Sequence, residues 1–262
     1  MTGDVLHGPE LDPETRTEIE TGESGLLDGR VRLQQPLAGY RVAIDPVFLA
    51  AATPAVSGSE VLDLGCGVGA AALCLLARVP ECRITGWDIQ PDMVELARQN
   101  AALNDCSDRF RVVCRDGLCR DIEQHARFDL VMTNPPYQAA GTSSASPHAG
   151  KARAHQEEDG DLWDWLNAAF YCLRPGGYLT LIHRADRLHD LLSGLRERCG
   201  DITIHPLWPG RGRPARRVLL RARPGSRAPT RLLPGLELHG PEQHFTADAE
   251  AILRHAGAVT LD

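Results

Sequence analysis

Lysine is almost missing from this chain: Lys151 is the only one in 262 residues, and arginine carries the rest of the positive charge. Eight cysteines are present but no Cys-x-x-Cys pair, which argues against a disulfide framework or a zinc site and for reduced thiols. No stretch approaches the ~18 consecutive apolar residues that a membrane span needs. The first 28 residues have no basic segment followed by an apolar one, so no secretory signal is expected. Aromatics are sparse, at 5%. There is no internal repeat, no nucleophilic serine elbow and no Walker loop. These absences point to a soluble, cytoplasmic protein with no membrane and no metal. The length suits one α/β domain with a sizeable core.

Charge is present but unevenly placed. The net charge is −7, yet residues 1–28 hold eight acids and one Arg, whereas residues 196–231 hold ten Arg and two acids. Attraction to phosphate follows such local patches and not the average. The basic segment is either a polyanion contact or a solvated face in which Arg stands in for Lys. Residues 1–29 lack periodicity and read as an acidic, flexible tail. Residues 30–262 read as a single domain with an Arg-rich strand region and a terminal helix.

From residue 60 the pattern becomes regular. Strands are expected at Glu60–Leu64, Arg83–Ile89, Phe110–Cys114, Phe128–Thr133, Tyr178–Ile182, Ile202–Leu207 and Arg217–Ala222. Helices are expected over Ala70–Arg78, Pro91–Leu103, Leu162–Leu173 and Leu188–Arg198, with Pro91 suited to a first helical turn. A short strand over Arg30–Leu37, a helix within Asp45–Ala55, a strand at Leu236–Leu238 and a helix over Ala247–Ala256 complete the reading. This alternation implies a doubly wound, mostly parallel α/β sheet with ligands beyond the carboxyl ends of its strands. The Gly-rich turn, Asp88, Asp116 and residues 134–137 all fall at those ends.

The turn Asp63-Leu-Gly-Cys-Gly-Val-Gly69 fits two chemistries. Gly65, Gly67 and Ala70, with Asp88 about twenty residues on, satisfy a dinucleotide fingerprint. Asp63 favours S-adenosylmethionine instead, because its carboxylate repels a pyrophosphate and attracts the ammonium of a methionine moiety. Asp88 suits the ribose hydroxyls, or else caps the helix beginning at Pro91. Asp116 suits an adenine amino group, or is a turn residue.

Asn134-Pro135-Pro136-Tyr137 is the sharpest signal. Two prolines lock the backbone after the strand. This can aim the Asn134 side-chain oxygen and the Pro135 carbonyl at the two hydrogens of a planar amino group, with Tyr137 as a stacking face. His148, Lys151, Arg153 and His155 make the loop over 138–161 locally basic, for phosphate or substrate or merely solvated. His155-Gln-Glu157 lacks the Pro-Cys-x-x-Cys partner of a zinc deaminase.

The two central motifs resemble the Rossmann-like class I methyltransferases acting on amino nitrogens. Tyr40-Arg-Val-Ala-Ile-Asp-Pro-Val-Phe-Leu49, Ala145-Ser-Pro147, Ala152-Arg153, Arg216-Arg-Val-Leu-Leu220 and Leu238-His-Gly-Pro-Glu-Gln-His-Phe245 make the chain similar to the bacterial tRNA1(Val) adenine-37 N6-methyltransferases. That resemblance implies a seven-stranded sheet with helices on both faces and S-adenosylmethionine as cofactor. It implies a cofactor site of Asp63, Gly65, Cys66, Gly67, Gly69, Asp88, Ile89 and Asp116. Asn134, Pro135, Pro136 and Tyr137 would be catalytic, and Tyr137, Lys151 and Arg153 would bind a tRNA substrate. The alternatives are a release-factor glutamine methyltransferase, which shares the Asn-Pro-Pro-Tyr string, and a non-catalytic cofactor-binding RNA module.

Overall fold

The computed structural model describes residues 20–38, 41–120, 122–135 and 162–261. The chain begins there with a hairpin, β1 (Thr21–Leu26) and β2 (Val31–Pro36), paired antiparallel in a sheet of its own. Its turn uses Leu27, Asp28 and Gly29, all at positive φ. Helix α1 (Asp45–Ala52) follows, with Pro46 in its first turn.

The main sheet is then laid down in alternation with helices: β3 (Glu60–Leu64), α2 (Ala70–Arg78), β4 (Arg83–Asp88), α3 (Pro91–Leu103), β5 (Phe110–Cys114), β6 (Phe128–Thr133), α4 (Leu162–Cys172), β7 (Leu173–Arg184), α5 (Leu188–Leu195), β8 (Cys199–Gly210) and β9 (Arg217–Pro224). Two short strands, β10 (Arg231–Leu232) and β11 (Leu236–His239), and helix α6 (Ala247–His255) complete it.

The path across the sheet is β10-β8-β9-β7-β6-β3-β4-β5, with β11 also on β8. Strands β3 to β7 pair in parallel, and β9 runs antiparallel to both β7 and β8. The order reverses at β3, between β4 and β6, so the crevice beyond that strand is where such a sheet takes a ligand.

The central strands are apolar on both sides because both faces are covered. Val61 packs into a core with α1, α2, α3 and α6, while Leu62 and Leu64 pack into a second core with α4 and α5. The hairpin is joined to this body by asparagines. Asn100 Oδ1 accepts from Gln34 N at 2.7 Å, its Nδ2 donates to the Gln34 carbonyl at 2.9 Å, and Asn104 makes the same exchange with Arg32. Two amide side chains, one within α3 and one capping its C-terminus, therefore stand where a neighbouring strand would satisfy the edge of β2.

Several sequence expectations are corrected. The tail expected over residues 1–29 does not hold for residues 21–29, because residues 21–26 are strand β1 and the hairpin turn follows; residues 1–19 lie outside the described residues. The seven expected strands form the body of a nine-stranded sheet, extended at one edge by β10 and β11. The helix expected to reach Arg198 stops at Leu195, as Arg196 adopts ψ 141°. No described helix is long and apolar enough to cross a membrane. All eight cysteines are free thiols.

Candidate functional site

Four consecutive parallel strands deliver the expected residues to one edge. Leu64 ends β3, and the chain turns through Gly65, Gly67 and Gly69, all at positive φ, into α2. The amides of Gly65 and Cys66 both donate to the Trp87 carbonyl at 2.9 Å, which anchors the turn to the end of β4. An added Cβ on Gly65 would sit 2.8 Å from the Trp165 ring, and one on Gly69 would sit 2.7 Å from Phe110. At Gly67 it would meet nothing within 4 Å. Two glycines are thus needed for close packing, and the third exposes backbone to open space where a ligand can approach.

Asp88, nearly buried at the end of β4, has both carboxylate oxygens engaged. Oδ2 accepts from Gly67 N at 2.8 Å and Oδ1 from Gln90 N at 2.9 Å. The helix-cap reading of Asp88 does not hold, because Gln90 is the N-cap of α3 and no side chain caps that helix; the carboxylate instead holds the Gln90 amide two residues on and locks the glycine turn. Each oxygen keeps a further lone pair for a hydroxyl. Burial raises its pKa, opposed by the amides of Gln90, Gly67 and Ile89. Ile89 beside it is 64% exposed, a flat apolar surface next to a carboxylate. Asp116 lies past β5; its Oδ1 accepts from Leu118 N at 2.9 Å, the turn role foreseen as its alternative.

Asp63 is 2% exposed, and its Oδ2 has no hydrogen-bond partner among the described residues. Burial pushes its carboxyl from 3.8 up to about 7, an amide hydrogen bond from Ala72 opposes this, and the charge of Asp88 adds to it. A buried carboxylate with an unmet oxygen is a strong acceptor for a cationic amine. The same burial, reinforced by Asp63 and Asp88, holds the Cys66 thiol well above its ordinary pKa, which disfavours the thiolate form that a nucleophile needs.

Asn134 follows β6 directly. Its Oδ1 is buried and also lacks a partner among the described residues, and Pro135 beside it is buried. The edge thus presents two desolvated acceptors, one a carboxyl and one an amide, beside a glycine turn open to space. Pro136, Tyr137, Lys151 and Arg153 lie outside the described residues.

The sequence reading missed the pair that ties the two motifs together. Trp165 Nε1 donates to Thr133 Oγ1 at 2.7 Å, and Thr133 Oγ1 donates to the Leu64 carbonyl at 2.7 Å. Trp165 also covers Gly65. One indole on α4 therefore sets the spacing of the residues before the glycine turn and before Asn134. The available signal was a hydroxyl at the last position of an apolar strand, a group that in most folds is paired once buried. Among the described residues no group of three or more His, Cys, Asp or Glu side chains is arranged to hold a metal.

The model of the methyltransferase small domain family matches residues 46–202, more than half of the chain. A tRNA1(Val) (adenine(37)-N6)-methyltransferase of Porphyromonas gingivalis strain W83 is 37% identical over 166 residues, 61% of this chain and 64% of that relative. The chain thus spans a little under two thirds of that relative's length. The enzyme of the same name from Aeromonas hydrophila is 29% identical over 204 residues, 76% of this chain and 83% of the relative. The crystal structure of Atu636, a predicted O-methyltransferase from Agrobacterium tumefaciens, superposes with a TM-score of 0.69 at 26% identity, covering 82% of this chain and 98% of that one. The family match spans the glycine turn, Asp88 and Asn134 alike, and the chain belongs to the methyltransferase small domain family.

Proposed function

We propose that the protein is a cytoplasmic S-adenosylmethionine-dependent N-methyltransferase that modifies an exocyclic amino group, adenine N6 in a tRNA of the tRNA1(Val) type. The observation that carries this reading is the desolvated, unpartnered Asn134 Oδ1 at the end of β6. An amide oxygen left unpaired in this way costs about 1–3 kcal/mol, and an amino N–H removes that cost. The named relatives support the choice of adenine in tRNA.

The residues present fit the cofactor. Asp63 Oδ2 is free to accept an ammonium, Gly67 leaves room for close approach, Asp88 keeps lone pairs for ribose hydroxyls, and Ile89 offers an apolar face for a base. When bound, S-adenosylmethionine supplies an electrophilic methyl group on a cationic sulfur. Asn134 Oδ1 and the Pro135 carbonyl would each accept one hydrogen of the target amine, turning its lone pair out of the ring plane. Tyr137 would stack on the base, and Lys151 and Arg153 would meet nearby phosphates. No strong base would be needed: as the nitrogen–methyl bond formed, the methyl–sulfur bond would break to leave a neutral thioether, and the now acidic amine would lose its proton to water. Rate enhancement then rests on alignment, which the Trp165–Thr133–Leu64 chain maintains. A base inside a stacked loop must first be extruded.

The test is methyl transfer from labelled S-adenosylmethionine to unmodified tRNA and, in parallel, to release factors, followed by nucleoside and peptide analysis. N6-methyladenosine in tRNA is expected, with Asn134→Ala losing at least ~100-fold in kcat while cofactor affinity stays within a few-fold. Label in protein glutamine alone would replace this reading with the glutamine methyltransferase, and near-full turnover by Asn134→Ala would remove the amino-group mechanism.

A further inference from the structure

The ten arginines of residues 196–231 look equivalent in the sequence, but the fold separates them. Arg198 lies over the Trp163 ring at 4.1 Å, Arg217 pairs with the buried Asp45 at 2.8 Å, and Arg221 donates to the Leu261 carbonyl. Arg223 bonds the Tyr178 hydroxyl, and Arg231 bonds Thr203 and lies 3.5 Å from Asp201. These five hold the fold together. Arg196, Arg211, Arg213, Arg216 and Arg227 are exposed, and none forms a side-chain hydrogen bond or ion pair among the described residues.

Register decides where those five lie. Thr133 of β6 is level with Leu181 of β7, Leu181 with Leu220 of β9, and Arg184 with Arg217. Leu207 of β8 is level with Arg217 as well. The β8–β9 connection therefore projects past the same carboxyl edge that carries Asn134, and Arg211, Arg213 and Arg216 project with it. Arg196 and Arg227 flank the opposite ends of β8 and β9, on the far edge. With strands ~4.8 Å apart, β9 and β8 stand about 10 and 14 Å from β6. That is the distance over which a nucleic acid strand crosses from its target base to neighbouring phosphates.

Three acids at this edge are already paired, whereas Glu237, exposed beside the hairpin, has no ion pair among the described residues. Asp45, Asp186 and Asp190 are each matched by Arg217, Arg184 and Arg187. The hairpin from Trp208 to Arg216 contains no acid, and it is shaped by Gly212 at φ +72° and by a bond from Arg213 N to the Gly210 carbonyl at 3.2 Å. Beside it lies a groove of about 420 Å³ lined by Trp208, Gly210, Gly212, Arg213, Pro214 and Glu237. The Trp208 ring is fixed there by a 2.9 Å bond from its Nε1 to the Pro234 carbonyl. Unpaired guanidinium forks suit phosphate oxygens. An immobilised indole next to them suits a base, which an acidic protein surface would not require.

We propose that the β8–β9 hairpin is the RNA-backbone contact of this protein, with Arg211, Arg213 and Arg216 on phosphates flanking the target base and Trp208 stacking a neighbouring base. This deepens the tRNA reading above and rests on it. The hairpin lies on the sheet's antiparallel side, so a strand bound there runs from Asn134 across β7 and β9 to the groove.

The test uses the full chain. The triple variant R211A/R213A/R216A, the far-edge control R196A/R227A and W208A are compared with wild type in tRNA binding across salt concentrations. Cofactor binding by calorimetry, methyl transfer and thermal melting are followed alongside. The triple variant should bind tRNA at least about tenfold more weakly near physiological salt, and its slope of log K against log salt should shrink by about 2. Its cofactor affinity, melting temperature and kcat at saturating tRNA should match wild type. W208A should weaken binding with the salt slope unchanged, and the control should match wild type throughout. A triple variant with wild-type affinity and slope overturns the proposal while leaving methyl transfer standing, and so does an equal loss in the control. Wild type that labels only protein overturns both this inference and the tRNA reading.

Discussion

Asp63 should make the ligand-free protein less stable as pH rises, and Asp63→Asn should reverse that. The carboxyl has a pKa of about 7 in the fold, against 3.8 ordinarily, chiefly through burial. Below pH 3.8 both folded and unfolded chains hold the proton, so the raised pKa costs nothing. Between 3.8 and about 7 the unfolded chain ionises and the folded one does not, so stability falls as pH rises. Above about 7 both are ionised and the loss levels off. At about 1.4 kcal/mol per pH unit, the stretch from pH 5 to pH 7 removes about 3 kcal/mol. Asp63→Asn has no such group. The variant-minus-wild-type gap should widen by about 3 kcal/mol between pH 5 and pH 8, or roughly 6–12 °C in melting temperature for a chain this size. Comparing the change in gap cancels the pH-independent effect of the amide. The assay is thermal unfolding of both proteins from pH 5 to 9, without and then with saturating S-adenosylmethionine. Cofactor should stabilise only wild type strongly at pH 8, because an ammonium beside Asp63 compensates its charge. A gap that stays constant from pH 5 to 8 would refute the reasoning, since Asp63 would then be ionised in the fold throughout.

Trp165→Phe keeps the ring over Gly65 but removes the donor to Thr133 Oγ1, so it should cost about 1 kcal/mol of stability. It should also lower kcat by about tenfold as the two motif turns lose their common spacing, measured by melting and by single-turnover methyl transfer; unchanged kcat would make Trp165 packing alone. Gly69→Ala and Gly67→Ala should part ways. The first puts a Cβ 2.7 Å from Phe110 at φ +85° and should destabilise by at least about 2 kcal/mol. The second, at φ +53° in open space, should cost the fold only about 1 kcal/mol and weaken cofactor binding, as calorimetry would register.

Local patterns were sufficient for the body of the sheet. The apolar runs at 60–64, 110–114 and 128–133 and the helical periods at 70–78 and 91–103 match the observed elements residue for residue, because period and capping are properties of neighbours. The same order of strands and turns placed Asp63, Asp88 and Asn134 on one edge, since in a parallel sheet every strand that precedes a helix ends on the same side. Strand β1 was invisible for the complementary reason. Thr21-Gly-Glu-Ser-Gly-Leu26 has no apolar alternation and is a strand by pairing with β2, which is itself held by burial of Val31 and Leu33 and by Asn100 of α3 and Asn104 just past it, some seventy residues away. Its one local cue was Asp28-Gly29, a hairpin dipeptide.

What only the tertiary structure decided is which polar groups are satisfied. Sequence identifies Asp63 and Asn134 as acceptors, but burial without a partner, which raises one pKa and leaves the other oxygen waiting, depends on every chain segment packed around them. Likewise, ten arginines close together in the sequence are one basic segment. In the fold five are consumed by Asp45, Leu261, Tyr178, Trp163 and Thr203, and three of the remainder stand on the edge that carries Asn134. Composition sets how many charges a chain carries; long-range pairing sets which of them remain for a partner, because each internal contact removes a group from the surface.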